Sequence, residues 1–102
     1  MNNTLTKEEI LATLREQKDF LHEKFFVKRI GIFGSFARNE ATEKSDIDFL
    51  VEFDAPLNIY ISNRYQLSDY LENLFHKHVD LANPKSLKPL YKSEILINAI
   101  YA

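Results

Sequence analysis

Two aspartates one residue apart, Asp46 and Asp48, open an apolar run that continues to Phe53, and ten residues before them an earlier apolar run ends in Gly34-Ser35. On a strand, successive side chains alternate faces, which puts Asp46 and Asp48 on one face and Ile47, Phe49, Val51 and Phe53 on the other. The apolar set can then be buried while both carboxylates stay outside, side by side on a rigid element, where they can hold a divalent cation. Gly34 allows a tight turn and a close approach of backbone to ligand, and Ser35 offers a hydroxyl that can cap a short helix over Phe36 to Glu40. A helix start of this kind attracts anions. A phosphate cradle beside paired carboxylates points to a metal-bound nucleoside triphosphate, because Mg²⁺ is usually held by one or two carboxylates together with substrate phosphates.

The rest of the chain supplies the elements that must hold these residues. Thr6 followed by Glu9 forms a capping box, and Ile10, Leu14, Leu21 and Phe25 recur at helical spacing, which predicts a helix over about 7–24 whose apolar stripe is core. Phe26 to Phe33 reads as a strand that delivers the chain to Gly34, with Lys28 and Arg29 as solvated charges. Asp54-Ala55-Pro56 ends the aspartate strand, and a second long helix is expected from Asn58 to about His76 on the Leu67, Leu71, Leu74 stripe. His78 to Ala82 alternates as a short strand, with Val79 and Leu81 inward and His78 and Asp80 on the other face. Asn83-Pro84 breaks the chain. Leu87 to Tyr101 then reads as a last helix with Pro89 in its first turn and Leu90, Ile95, Leu96 and Ile100 as apolar members. Helix, strand, short helix, strand, helix, strand, helix is the order of an α+β domain with helices packed against a small sheet.

Composition narrows the classes. One hundred and two residues make one domain, 1–102, long enough for a small core and too short for a second substrate lobe. The formal net charge of −2 argues against a direct nucleic-acid binder, which carries a basic patch or stripe. No apolar stretch approaches the roughly 18 residues of a membrane span, and MNNTLTKEEI lacks the basic start and apolar segment of a signal peptide. With no cysteine there is neither a disulfide framework nor a thiolate metal site, so a cytoplasmic location is expected.

Apolar-Gly-Ser, about ten residues, then Asp-apolar-Asp-apolar resembles the signature of the DNA polymerase beta-like nucleotidyltransferase superfamily. Within it, GSFAR followed by SDIDFLVEF is similar to the minimal nucleotidyltransferases, single-domain proteins of about this length. Asn39 stands where the family commonly has Gly; Asn is the next residue most at home at positive φ, so the turn is expected to survive. The resemblance implies a mixed sheet in a nucleotidyltransferase fold, with Asp80 as a third carboxylate meeting Asp46 and Asp48 on an exposed face. It further implies two Mg²⁺ ions on Asp46, Asp48 and Asp80, ATP as substrate, and Gly34 and Ser35 on the β and γ phosphates. Arg38 can reach a phosphate or carboxylate, or pair with a neighbouring acid such as Glu43; Ser45 either adds a hydroxyl to the cradle or makes a turn at the strand start. Glu52 shares the aspartate face but lies about 13 Å beyond Asp48 by strand rise, and is expected to be solvent-exposed.

By the same resemblance the acceptor of the nucleotide is a hydroxyl, tyrosine above others, on a HEPN-type toxin protein. The chain would thus be the antitoxin of the pair and a protein adenylyltransferase. The alternative is a non-catalytic binding module that neutralises such a toxin by complex formation.

Overall fold

The computed structural model describes residues 5–102. Its frame is a four-stranded mixed sheet of β1 (Val27–Phe33), β2 (Ile47–Phe53), β3 (Val79–Ala82) and β4 (Ile100–Tyr101), in the order β3-β2-β1-β4. Helix α1 (Lys7–Glu16) starts at the Thr6–Glu9 capping box, and α2 (Lys18–Phe25) follows after a break at Gln17. The single helix expected over 7–24 is therefore two. The apolar stripe explains the break: Ile10 and Leu14 are fully buried, a straight helix would next bury positions 17 and 18, and these are Gln and Lys. At Gln17 the chain re-aims so that Leu21 and Phe25 are buried instead, while the Gln17 side chain accepts a hydrogen bond from the Tyr70 hydroxyl. Phe26 then closes α2 in the left-handed conformation at φ 58°.

Strand β1 (Val27–Phe33) runs antiparallel to β2 (Ile47–Phe53), which in turn runs parallel to β3 (Val79–Ala82). The parallel step needs a crossover, supplied by a 3-10 turn at Leu57–Ile59 and α4 (Tyr60–Phe75). Leu67 and Leu71 of α4 meet Ile32, Ile47, Phe49 and Val51 of the sheet together with the α1 and α2 stripe in one apolar cluster. Buried in the same layer, Asn63 is satisfied by donating to the Phe25 carbonyl at 2.6 Å, which also caps the end of α2. The outer edge of β3 is closed by α4: Glu72 accepts from the Val79 N–H at 3.1 Å, and the Arg64 guanidinium donates to the Leu81 carbonyl.

The C-terminus departs from expectation. Helix α5 (Pro89–Ile97) has Pro89 in its first turn as expected but begins two residues after Leu87 and stops nine residues in, and Ile100–Tyr101 form β4, antiparallel to β1 on the sheet's other edge. Ile100 therefore packs as a strand residue, not as the last turn of a helix. No helix among the described residues is long and apolar enough to cross a membrane.

Candidate active site

β2 carries the site because its two faces are divided by composition. Ile47, Phe49 and Val51 are fully buried on the helical side. Asp48 points the other way and is half-buried; Asp46, just ahead of the strand, is exposed. The parallel register sets Asp48 opposite Asp80, and the antiparallel register sets it opposite Phe33. Asp48 is thus the central carboxylate, with Asp80 on one neighbouring strand and the end of β1 on the other.

At that end Gly34 adopts φ +72°, and a Cβ there would overlap the Asp48 carboxylate. Only glycine lets the two strand ends come together. Gly34 opens the one-turn helix α3 (Gly34–Ala37), two residues earlier than the 36–40 expected, with Phe36 and Ala37 buried beneath it. Asn39 takes φ +58°, the positive-φ conformation anticipated for it, and lets the Glu40 N–H return to the Ser35 carbonyl at 2.8 Å.

The electrostatics of the cluster fall on Asp48, whose pKa is pushed up to about 6. Partial burial is the largest cause, followed by the charges of Asp80 and Asp46 and a hydrogen bond shared with Asp80; Arg38 acts in the opposite sense. Asp46, Asp80 and Arg38 therefore all lie within electrostatic reach of Asp48. Arg38 itself pairs with Glu40 at 3.4 Å, not with Glu43, and both partners are exposed. The Ser45 hydroxyl accepts the Thr42 N–H at 2.8 Å, so it builds the turn that leads into the strand. Glu52 is not the solvated side chain expected: it accepts from Arg29 at 3.2 Å with its side chain 14% exposed, and Arg29 lies 3.8 Å over the Tyr101 ring. Arg29 itself stays exposed, as expected of a solvated charge, while it pairs with Glu52 and lies over Tyr101 of β4.

A residue that no sequence signal marked also belongs here. Lys77, just past α4, donates to the carbonyls of Glu43 at 2.8 Å and Ser45 at 3.0 Å and lies 5.8 Å from the Phe36 ring centroid. It ties the loop before Asp46 to the helical layer and to α3. A lysine at a helix end ordinarily reads as a complement to the helix dipole, which is why its anchoring role is invisible in the sequence.

The nucleotidyltransferase domain family model matches residues 14–102. The chain belongs to the nucleotidyltransferase family. MntA of Thermococcus cleftensis, a protein adenylyltransferase, is 40% identical over 97 residues, which span 95% of this chain and 96% of that protein. MJ0128 of Methanocaldococcus jannaschii, a candidate protein adenylyltransferase, is 47% identical over 98 residues, 94% of this chain and 97% of that one. The solved structure of a candidate minimal nucleotidyltransferase superposes with a TM-score of 0.74 at 31% identity, covering 97% of this chain and 98% of that chain. A toxin-antitoxin crystal structure with AMP-PNP shares the fold at a TM-score of 0.63 and 23% identity, over 95% of this chain and 72% of that chain. This nucleotidyltransferase is therefore an enzyme of the protein adenylyltransferase group.

The family's divalent metal can be tested against the residues present. Among the described residues no three acidic or histidine side chains close into a ready-made cage. What the nucleotidyltransferase does present is hard oxygen donors, two of them in register on adjacent strands, with the pKa of the Asp48 carboxyl pushed up to about 6 by burial first and by the charges of Asp80 and Asp46 next. An unclosed set of carboxylates suits Mg²⁺ or Mn²⁺ completed by substrate phosphates and water, and does not suit zinc, which takes a tetrahedral set of nitrogen and sulfur ligands. The residues fit the group.

Proposed function

We propose that this chain transfers AMP from ATP to a hydroxyl, a tyrosine above others, of a HEPN-type toxin protein, and neutralises it as the antitoxin of the pair. The observation that carries the reading is the convergence of Gly34, Asp48 and Asp80: a glycine at the end of β1, at positive φ, lies against the Asp48 carboxylate, which stands in register with a second carboxylate whose charge it feels. The MntA name of a full-length relative and the AMP-PNP held by a toxin-antitoxin fold neighbour support adenosine triphosphate and a toxin partner.

In this reading Asp46, Asp48 and Asp80 hold two Mg²⁺ ions. Bound there, the metal supplies Lewis-acid stabilisation of the phosphate charge and a lower pKa for the attacking hydroxyl. Gly34 and Ser35 bind the β and γ phosphates through backbone N–H and hydroxyl groups, so charge developing on pyrophosphate meets fixed donors. Arg38 adds a positive charge beside Asp48 that favours the phosphates, and Ser45 holds the turn that presents Asp46 and lends its hydroxyl to the cradle. The acceptor oxygen attacks the α-phosphorus, the bond from that phosphorus to the α,β-bridging oxygen breaks, pyrophosphate leaves, and the hydroxyl proton passes to Asp80. Added phosphate charge near a ribonuclease site repels RNA, which gives the modification a physical route to inhibition.

The test is to incubate the chain with Mg-ATP and a purified HEPN protein encoded beside it, and weigh that protein by intact-mass spectrometry. A gain of one or more adenylyl groups, abolished by Asp48→Asn or by chelator, is expected. If the partner gains nothing and Asp48→Asn neutralises it equally well, the chain acts by binding alone.

A further inference from the structure

Beside Asp80 lies a cavity of about 420 Å³ between the first half of α4 and the β3 strand, lined by Tyr60, Arg64, Tyr65 and Ser68 from the helix and by Val79 to Leu81 from the strand. We propose that this groove is the acceptor subsite, occupied by the polypeptide segment that carries the hydroxyl, and that Arg64 and Tyr65 are its positioning residues. The inference rests on the adenylyl-transfer reading above and adds where the acceptor protein enters and what chemistry recognises it.

Direction is the first argument. In phosphoryl transfer the attacking and leaving oxygens stand roughly in line across the phosphorus. Gly34, on the leaving side, stands at the end of β1, and Asp80 stands on β3, with Asp48 of β2 between them. The attacking oxygen therefore comes from the β3 side, the edge of the sheet along which this groove lies. The nucleoside hangs from an equatorial oxygen of the same phosphorus, off that axis, so the groove suits the acceptor better than the base.

Surface chemistry is the second. Leu57, Ile61 and Tyr65 follow one another at helical spacing and are 93%, 72% and 72% exposed, an apolar stripe leading to the groove that the described residues leave uncovered. Tyrosine and arginine are the side chains enriched at the centres of protein interfaces. Arg64 spends one donor on the Leu81 carbonyl, which fixes the guanidinium at the groove wall; its remaining N–H groups suit a carboxylate or backbone carbonyl of the incoming segment. The edge of β3 is already capped by Arg64 and Glu72, so the partner is recognised by side chains and not by strand addition. The occupant is thus a protein segment presenting a hydroxyl, flanked by apolar residues and an acid.

Arg64→Ala, Arg64→Lys, Tyr65→Ala and the doubly exposed-site variant Leu57→Ser with Ile61→Ser test this, with thermal unfolding as a check that each folds. For each, adenylylation of the HEPN protein is measured against acceptor and against ATP concentration, and binding of that protein without ATP is measured by calorimetry. We expect the acceptor KM and Kd to rise at least tenfold for the alanine and serine variants, with Mg-ATP affinity within twofold and partial recovery in Arg64→Lys. Weakened Mg-ATP binding with an unchanged acceptor KM would make the groove a base subsite and overturn the proposal, as would variants that change neither. If wild type transfers no nucleotide, the transfer reading falls, and calorimetry still decides whether the partner uses this groove.

Discussion

Neighbouring residues of β2 face opposite physical worlds. Phe49 is fully buried and stacks near Phe75 with ring centroids 5.8 Å apart; Asp48, one residue earlier, is half-buried beside two other carboxylates with its pKa raised to about 6. Phe49 lowers the free energy of folding and Asp48 raises it to keep charge where a substrate needs it, while Leu50, two residues on from Asp48, is fully buried. The comparison predicts a clean separation of effects. Phe49→Ala should destabilise by about 3–5 kcal/mol through transfer and cavity terms, lowering the denaturant midpoint with activity lost only as the fold is lost. Asp48→Asn should fold normally and lose adenylyl transfer by a factor on the order of 10³, since several kcal/mol of charge stabilisation disappear. Loss of the circular dichroism signal in Asp48→Asn would erase the distinction between the faces.

Gly34 tests how closely the two halves of the site must approach. In Gly34→Ala the new methyl meets the Asp48 carboxylate and the backbone sits at φ +72°. The left-handed conformation alone costs about 1–2 kcal/mol. Displacing Asp48 even slightly should cost transfer roughly a hundredfold, visible as a fall in kcat/KM for ATP. A fully active alanine variant would show that the contact between β1 and β2 carboxylate is incidental.

The raised pKa sharpens the comparison through pH. A carboxyl whose folded pKa lies above its unfolded value of 3.8 holds its proton more tightly when folded. Stability from this group therefore falls as pH rises from about 4 through about 6, and the penalty is complete above that range. Asp48→Asn should then be more stable than wild type at pH 7.5, by about 1 kcal/mol once solvent screening of a half-exposed group is allowed for, with the gap closing near pH 4. Mg²⁺ should raise the wild-type melting temperature more at pH 7.5 than at pH 5, because below about 6 the ion competes with a proton. An Asn variant that is less stable than wild type at every pH would mean Asp48 is a structural residue.

How much of this was legible depended on how local its cause is. The period-2 alternation of Ile47–Phe53, the Thr6–Glu9 capping box, Pro89 at a helix start and the positive φ at Asn39 are set by residues within a few positions, and each could be read from the chain. The juxtaposition of Asp48 with Asp80 and Gly34 depended on strand order, which resemblance supplied and periodicity could not. What escaped was non-local. The polar pair at 17 and 18 marks where the first helix breaks, but the direction α2 then takes is set by its packing on α4, and Ile100–Tyr101 leave a helical pattern because the edge of β1 offers hydrogen bonds. Missing β4 also made Glu52 look solvated, since its cover comes from Arg29 and Tyr101. The Lys77 contacts span more than thirty residues of sequence and no pattern encodes them.

Lys77 is where the two faces of β2 communicate, and it carries the smallest effect. Its ammonium group holds the Glu43 and Ser45 carbonyls from the end of α4, so the loop that presents Asp46 is positioned by the helical layer and not by the site itself. Lys77→Met keeps an unbranched side chain at this position and removes the ammonium group with both of its hydrogen bonds. Charge-assisted bonds of this kind contribute about 1.5–3 kcal/mol when buried and less at a partly solvated loop. We expect global stability to change by less than about 1 kcal/mol and transfer to fall about three- to tenfold. The loss should appear as a weaker apparent affinity for Mg²⁺ in ATP use, with the concentration of metal needed for half-maximal rate rising while the acceptor KM stays constant. Lys77→Arg, which can still reach two carbonyls, should recover part of it. A Met variant with wild-type metal dependence would confine Lys77 to a packing role and leave the Asp46 loop set by the Thr42–Ser45 turn alone.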